Sequence, residues 1–586
     1  MFMISKSICK VLVTGLITAA IACIPFTGWC VVASNNIPLD SPIYSYLGKL
    51  AGFGLIRSDI QGIRPISKAE AARLLREAEN AREMIRMLGE GTQNPVDGGM
   101  AEEIIARLRE RLAREIAQPE YPETTSAPWL QLAQPEYGRL RYVYLDGVPR
   151  SYFRPVWDSG NDGVFGIGSG LRPPNLPPPF GINYQRGYEG TPLFENNEGT
   201  VYGRGSSLDV RVSLQGYSTQ YLAFLVEPQF IFSANQWANV SASNNPPNRI
   251  YSSDENTTTL RINKGYLKFG GGPLELEVGR DAVWYGLGER GNITLTNNSQ
   301  NLDIIKLSSP EPIDIGFLGK LKYSILVTRL DESIILAPPT FTIPVKSEPY
   351  LVAAKLSLKP VEWLEVGINF AREFKGSFGG VGGTTGNTAN SLAGIELRCR
   401  LPWLRNAELY GEFSGEDQAG GWPIVESYVA GIYFPRLTAD GRNDFRFEFF
   451  QGNPILYTNS SYPAGYMYHN MPLGHSQGGA AIDFYGKYRY WFTLDDFVSL
   501  EYFHTERGNL GRVTVNAAGV YATAGNMQTV ERTDGGRVSL NLAVPGLDGV
   551  TANLMYGIER TRNYDLQPTG GGQTNQIVTV ELNYRY

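Results

Sequence analysis

Between Arg280 and Asn298 the chain gathers Arg280, Asp281, Trp284, Tyr285, Arg290, Asn292, Asn297 and Asn298 around three glycines, Gly286, Gly288 and Gly291. Glycine permits tight backbone, and these side chains offer the donors and acceptors that hydrogen-bond sugar hydroxyls. Arg280 and Arg290 suit carboxylate groups, although arginines also line the channels of porins. The structural alternative is a plug in which Arg280 and Asp281 pair internally. A second group, Tyr462, Tyr466, Tyr468, His469 and His475, lies between Tyr457 and Gly479. Aromatic faces stack on the C–H faces of sugar rings, and tyrosine adds a hydroxyl at small entropic cost. The alternative is a loop folded over and packed on itself. Trp157, Trp237 and Trp422 are weaker candidates of the same kind.

Catalysis finds little support. The histidines are His469, His475 and His504, and none sits in a metal-ligand spacing such as HExxH. Phe503-His504-Thr505-Glu506 lacks the serine two residues after histidine that a membrane phospholipase dyad would place on one strand face. Asp495-Asp496 reads as a turn, and Gly376 to Gly386 lacks the strand-to-helix context of a phosphate loop. The expectation is no catalytic residue, no metal and no cofactor. Of four cysteines, Cys9, Cys23 and Cys30 lie near the N-terminus and Cys399 stands alone in the rest, so no disulfide framework or thiolate metal site forms within the mature chain.

The elements that must position these residues begin with a leader. Lys6 and Lys10 precede an apolar run from Val11 to Ile24, too short to span a bilayer and suited to a signal peptide. Cleavage is expected after Ala33; the lipoprotein alternative uses Cys23. No later apolar stretch is long enough for a membrane helix, which leaves a soluble periplasmic protein or an outer-membrane barrel. Aromatics at 12%, with 33 tyrosines and 66 glycines, and a mean hydropathy of -0.20 favour the barrel, whose strands contribute only alternate residues to lipid. A net charge of -6 argues against a general nucleic-acid binder.

Residues 34 to 118 read as helical. Ser41-Pro42 starts one helix that Gly52 and Gly54 end. Ser67 and Glu70 form a capping box for a second, in which Ala71, Leu74, Leu75 and Ala78 are followed by Met84, Ile85 and Leu88. A third runs from about Met100 to Ala117, and the three could pack as a bundle of their own. A proline-rich linker, 119 to 136, follows.

From Tyr137 the period becomes two. Leu208, Val210, Val212 and Leu214 alternate with Asp209, Arg211, Ser213 and Gln215; Leu274, Leu276 and Val278 with Glu275 and Glu277; Ile395, Leu397 and Cys399 with Glu396, Arg398 and Arg400. Long polar loops at 234–257, 376–390, 452–478 and 510–530 alternate with short turns. Trp363, Trp403, Tyr433, Phe434, Trp491 and Phe492 sit near strand ends, where interfacial girdles lie. The chain closes on Val578, Val580, Leu582, Tyr584 and Tyr586, spaced by two like the terminal signal of barrel assembly. At roughly 25 residues per strand with its loops, residues 137 to 586 make a large antiparallel transmembrane β-barrel of about 16 to 18 strands, joined to a small N-terminal helical bundle.

Two stretches go beyond fold. Tyr44-Ser45-Tyr46-Leu47 through Gly54-Leu55-Ile56 to Arg64-Pro65-Ile66-Ser67 resembles the start of the Wzi family of capsule-assembly proteins. Val278-Gly279-Arg280-Asp281, Trp284-Tyr285-Gly286-Leu287-Gly288 and Gly291 to Asn298 are similar to that family's most recognisable barrel motif. A later stretch, Gly465-Tyr466-Met467-Tyr468 with Pro472-Leu473-Gly474-His475, resembles it more weakly. The resemblance implies an outer-membrane lectin that holds capsular or related exopolysaccharide at the cell surface, with its helical domain in the periplasm. Its expected partners are that polysaccharide, outer-membrane lipid and, during biogenesis, the barrel-assembly machinery, with no nucleic acid. The competing reading is a diffusion porin: a polar inner face fits both, and the helical segment favours the anchor.

Overall fold

Alternation of lumen-facing and outward-facing side chains demands a sheet with two unlike faces, and closing that sheet removes its edges. The computed structural model describes residues 33–88, 99–117, 131–132, 137–147, 153–157, 182–186, 190–218, 221–235, 256–330, 349–374, 389–419, 422–453, 456–457, 462, 465–469, 471–479, 481–508, 514–515, 521–522, 530–564 and 571–585. The leader, most of the proline-rich linker, Trp237, Gly376 to Gly386 and Tyr586 lie outside these residues, as do the side chains of Trp157 and Trp422.

Eighteen strands form the wall: β1 (Tyr137–Asp146), β2 (Gly205–Ser218), β3 (Leu222–Asn235), β4 (Asn256–Gly271), β5 (Leu274–Asp281) and β6 (Leu302–Ser308). The wall continues through β7 (Lys320–Arg329), β8 (Tyr350–Val361), β9 (Leu364–Phe374), β10 (Ala389–Leu401), β11 (Ala407–Ala419) and β12 (Trp422–Phe434). It ends with β13 (Asn443–Gly452), β14 (Ala481–Trp491), β15 (Phe497–Gly508), β16 (Val530–Ala543), β17 (Val550–Arg562) and β18 (Gln573–Arg585). Consecutive strands pair antiparallel, and β18 closes on β1 with Val578 opposite Tyr144. The count meets the upper end of the expected range.

The wall is inside-out relative to a soluble sandwich. Asp209 and Arg211 are 0% and 2% exposed, whereas Val212 and Leu214 on the same strand are 38% and 49% exposed. The same holds for Glu275 and Glu277 against Leu274, Leu276 and Val278. Such an apolar exterior is stable only when hydrocarbon covers it. At the short-turn end Trp363, Trp403 and Phe492 project outward as an interfacial girdle. Tyr433 and Trp491, expected there too, are instead buried: Trp491 Nε1 donates to Asp444 (2.7 Å) and its ring meets Tyr46, because the helices cover that end.

Four helices are described: α1 (Pro42–Gly52), α2 (Lys68–Leu88), α3 (Met100–Arg111) and α4 (Ala113–Ala117). Ser41 Oγ caps α1, and Ser67 Oγ accepts from the Glu70 N–H at 3.1 Å. The capping box is only half formed, because the Glu70 carboxylate turns to Arg73. The expected third helix breaks at Leu112 into α3 and α4. The helices do not close on themselves: their core of Tyr46, Leu50, Leu75, Ile104 and Leu108 continues into Trp491 and Leu494 of the barrel's short-turn end. Docking there is polar as well, with Lys49 Nζ 3.1 Å from Asp444 and Arg107 2.9 Å from Asp495. Met84 and Ile85 leave the core and are exposed, on the face of α2 turned away from its partners.

Candidate functional site

The lumen is occupied. Between α1 and α2 the chain from Asp59 to Pro65 enters the short-turn end as a strap. Asp59 receives Lys359 (2.9 Å), Arg398 (2.8 Å) and Arg400 (2.9 Å) from the inner wall. Burial opposes its ionisation, but Arg398, Arg400 and Lys359 hold the carboxyl well below the usual carboxylate range. Glu365 Oε1 accepts from the Gly62 N–H at 3.0 Å. Ile63 and Arg64 then pair antiparallel with Tyr285 and Trp284, so the strap adds a two-residue strand to the glycine-rich segment.

That segment, residues 282–301, links β5 to β6 and turns into the barrel rather than away from it. Wall carboxylates satisfy its backbone: Glu448 accepts from the N–H groups of Glu289 and Arg290 at 2.7 Å each, and Glu412 accepts from Ile293 N–H at 3.0 Å. Each gives a buried backbone donor its partner inside a low-dielectric interior, where an unpaired N–H group is costly. Asn292 Oδ1 receives the Gly288 N–H at 2.8 Å, closing the turn. Glycine is required at 286, where φ is +140° and a Cβ would sit 2.2 Å from Asn292.

A second insertion comes from the residues that link β13 to β14. Tyr457 stacks on Tyr466 with ring centroids 5.6 Å apart, and its hydroxyl donates to Ile293 O at 2.5 Å while accepting from His475 N–H at 2.9 Å. His475 lies against Gly291, whose added Cβ would be 2.4 Å from the ring. Burial, with the nearby Arg290 charge, holds the His475 imidazole well below its ordinary pKa, so it is neutral. A third insertion, residues 190–204, meets the first through Glu198 N–H to Asn297 O (2.9 Å) and Gly199 N–H to Asn298 O (3.2 Å). Ile63, Tyr285, Ile293, Leu295, Phe450, Tyr466 and Leu473 thereby form one apolar core inside the lumen.

The expected site residues separate on this frame. Trp284, Tyr285, Arg290, Asn292, Asn298, Tyr462, Tyr466, Tyr468 and His475 are all buried in the plug. Arg290 bridges Asp483 (3.1 Å) and Glu195 (3.2 Å), Tyr285 pairs its hydroxyl with Ser324 (2.7 Å), and Arg64 lies over the Trp284 ring. Asn297 and His469 remain half-buried. Arg280 and Asp281 do not pair, because neighbouring strand residues point to opposite faces. Arg280 faces outward to Asp303 (2.7 Å), whereas Asp281 faces inward and accepts from Asn36 Nδ2 (2.7 Å).

The strap and the 190–204 insertion were not anticipated. The available signal for the strap was Asp59 and Gly62 within an irregular stretch between two helices, where a solvated turn would not need Ile60 and Ile63. Between the helical domain and β14–β18 there is a cavity of about 880 Å³ lined by Tyr46, Arg111, Arg141, Trp491, Asn553 and Arg585. Among the described residues no His, Cys, Asp and Glu cluster is arranged to hold a metal.

Residues 179–576 match the family model described as capsule assembly protein Wzi. Among solved structures the chain is similar to Wzi of Escherichia coli, at 15% identity, TM-score 0.58, 95% of this chain and 99% of that one. That protein is described as an outer-membrane protein involved in group 1 capsule assembly and a carbohydrate-binding β-barrel. Weaker likenesses are to Pseudomonas aeruginosa OpdQ (10% identity, TM-score 0.38, 76% and 96% covered) and OccK7 (10%, 0.38, 78% and 99%). No curated protein sequence matches.

Proposed function

This chain belongs to the Wzi family of capsule assembly proteins, and from that membership we propose that it binds capsular or related exopolysaccharide and attaches it to the cell surface. The barrel resides in the outer membrane. Its short-turn end, with the helical domain docked on it, faces the periplasm, and its long loops face outward. The observation that carries the reading is the filled lumen: the strap and two insertions share one core with the wall, and the third insertion packs Leu193 and Tyr202 against the wall in a second cluster, as an anchor allows and a diffusion porin does not.

Sugar contact is assigned to the outward rim of the plug, where Asn297 and His469 keep exposure. Beneath them Trp284, Tyr285, Arg290, Asn292, Asn298, Tyr462, Tyr466, Tyr468 and His475 act as the frame that holds the loops. Contacts of this kind are individually weak, and a polymer spanning many barrels is retained by avidity. The protein acts after synthesis and carries out no reaction of its own.

Cells lacking the protein should make their polysaccharide but release more of it into the medium. Unchanged retention together with altered uptake of small solutes would replace this reading with the porin.

A further inference from the structure

The outer wall at the long-loop end carries charge where lipid would be expected. On β15, β16 and β17 the residues Thr505, Thr533 and Thr561 face the lumen, at 2%, 4% and 3% exposure. Their neighbours His504, Glu506, Arg532, Asp534, Arg560 and Arg562 therefore face outward. Cross-strand register sets these in two rows: His504, Asp534 and Arg560, then Glu506, Arg532 and Arg562. Nearer the short turns the same wall is apolar, with Leu500, Val538 and Ile558 exposed.

The two carboxylates are already engaged. Asp534 Oδ1 meets His504 Nδ1 at 2.7 Å and accepts from the Tyr502 hydroxyl at 3.1 Å, and Glu506 takes Arg532 at 2.7 Å. Arg560 and Arg562 have no side-chain hydrogen bond or ion pair among the described residues. Elsewhere at this rim the outward charges Arg280 with Asp303, and Arg204 with Asp146, form one-to-one pairs. An arginine on a lipid-facing wall is tolerated at the headgroup level and not in the hydrocarbon. Guanidinium groups bind phosphate bidentately, and Arg532 and Arg562 stand opposite each other on neighbouring strands, whose backbones lie about 5 Å apart, so that both side chains can reach one phosphate.

We propose that this patch on β15–β17 binds the phosphate groups of a phosphorylated glycolipid in the outer leaflet, seating the barrel among the lipids that surround it. The proposal rests on the orientation given above, long loops outward. It is independent of whether the plug rim binds polysaccharide.

The test uses full-length protein in detergent, with bound lipid read by native mass spectrometry. The probes are bis-phosphorylated lipid A, lipid A with both phosphates removed, and phosphatidylglycerol. The phosphorylated form should be retained at least tenfold more strongly than either of the others. The Arg560→Gln/Arg562→Gln variant should lose about tenfold of that retention while the Arg560→Lys/Arg562→Lys variant keeps part of it. Both should migrate as folded barrels on unboiled gels and hold polysaccharide on cells as wild type does. Equal retention of the two forms of lipid A, phosphatidylglycerol retained as strongly, or an unchanged Gln variant would overturn the proposal. Loss of polysaccharide retention with lipid binding intact would also overturn it, by giving the patch to the polymer.

Discussion

His475 lies flat on Phe450, with ring centroids 3.6 Å apart and planes 5° from parallel. The pair joins an inserted segment to wall strand β13, and Gly291 of the other insertion closes over the imidazole. One ring therefore touches three parts of the seal.

The first prediction concerns acid. Burial and Arg290 hold His475 well below the ordinary histidine value of 6.5. In an opened plug the imidazole titrates near that value, so between 6.5 and the lower packed value the opened state binds the extra proton. Stability of the seal is therefore full above about pH 6.5 and declines as pH falls below it. Planar-bilayer recordings should show rare openings at pH 7.5 and more frequent ones at pH 5. His475→Leu should remove the dependence; identical wild-type traces at both pH values would count against it.

Gly291→Ala tests the same contact sterically. The new Cβ would lie 2.4 Å from a ring already stacked on Phe450. Overpacking of this kind costs about 1–3 kcal/mol. Hydrogen exchange should quicken in residues 282–301 and 465–479 while heat-modifiable migration of the barrel is unchanged.

Asp59→Ala should loosen the strap. It leaves Lys359, Arg398 and Arg400 buried without their shared carboxylate, with Glu365 and Glu408 left to balance them among the described residues. Breaking a buried pair in this way costs about 3–5 kcal/mol. Protease should then cut between α1 and α2 in the variant and not in wild type; equal resistance would show that the strap is held by its strand pairing alone.

Lys49 predicts an alkaline effect on docking of the helical domain. Burial lowers its pKa to about 8 against an ordinary 10.5, with Asp444 only partly offsetting the loss. Between those values the undocked domain binds the proton and the docked one does not, so docking strengthens as pH rises from 8 to 10.5. The gain is on the order of 3 kcal/mol at most. Release of the helical domain by limited proteolysis should slow over that range in wild type and stay flat in Lys49→Met.

The sequence by itself determined the wall. Period-two alternation such as Leu208 to Gln215 survives folding because each strand residue has only two faces to choose from, and lipid on one side accepts only apolar groups. The cap at Ser41, the exposed Trp363 and Trp403 and the strand number follow from the same local rules. What only the tertiary structure decided is where the irregular segments go. Asn292, Tyr466 and His475 read equally well as solvent-facing sugar ligands or as packing, since glycine-rich and tyrosine-rich stretches carry no period. The segment that carries Asn292 is held by carboxylates such as Glu412 and Glu448, more than a hundred residues away in sequence, that reach its backbone N–H groups, and His475 is held by Phe450 and Gly291. Trp491 and Tyr433 turned inward for a like reason: the helices supply the surface that Trp491 meets, and Leu287 of the plug with Tyr410 the surface that Tyr433 meets. Strand alternation is a local property of the backbone, whereas filling a lumen is a property of the closed barrel, which exists only once β18 has paired with β1.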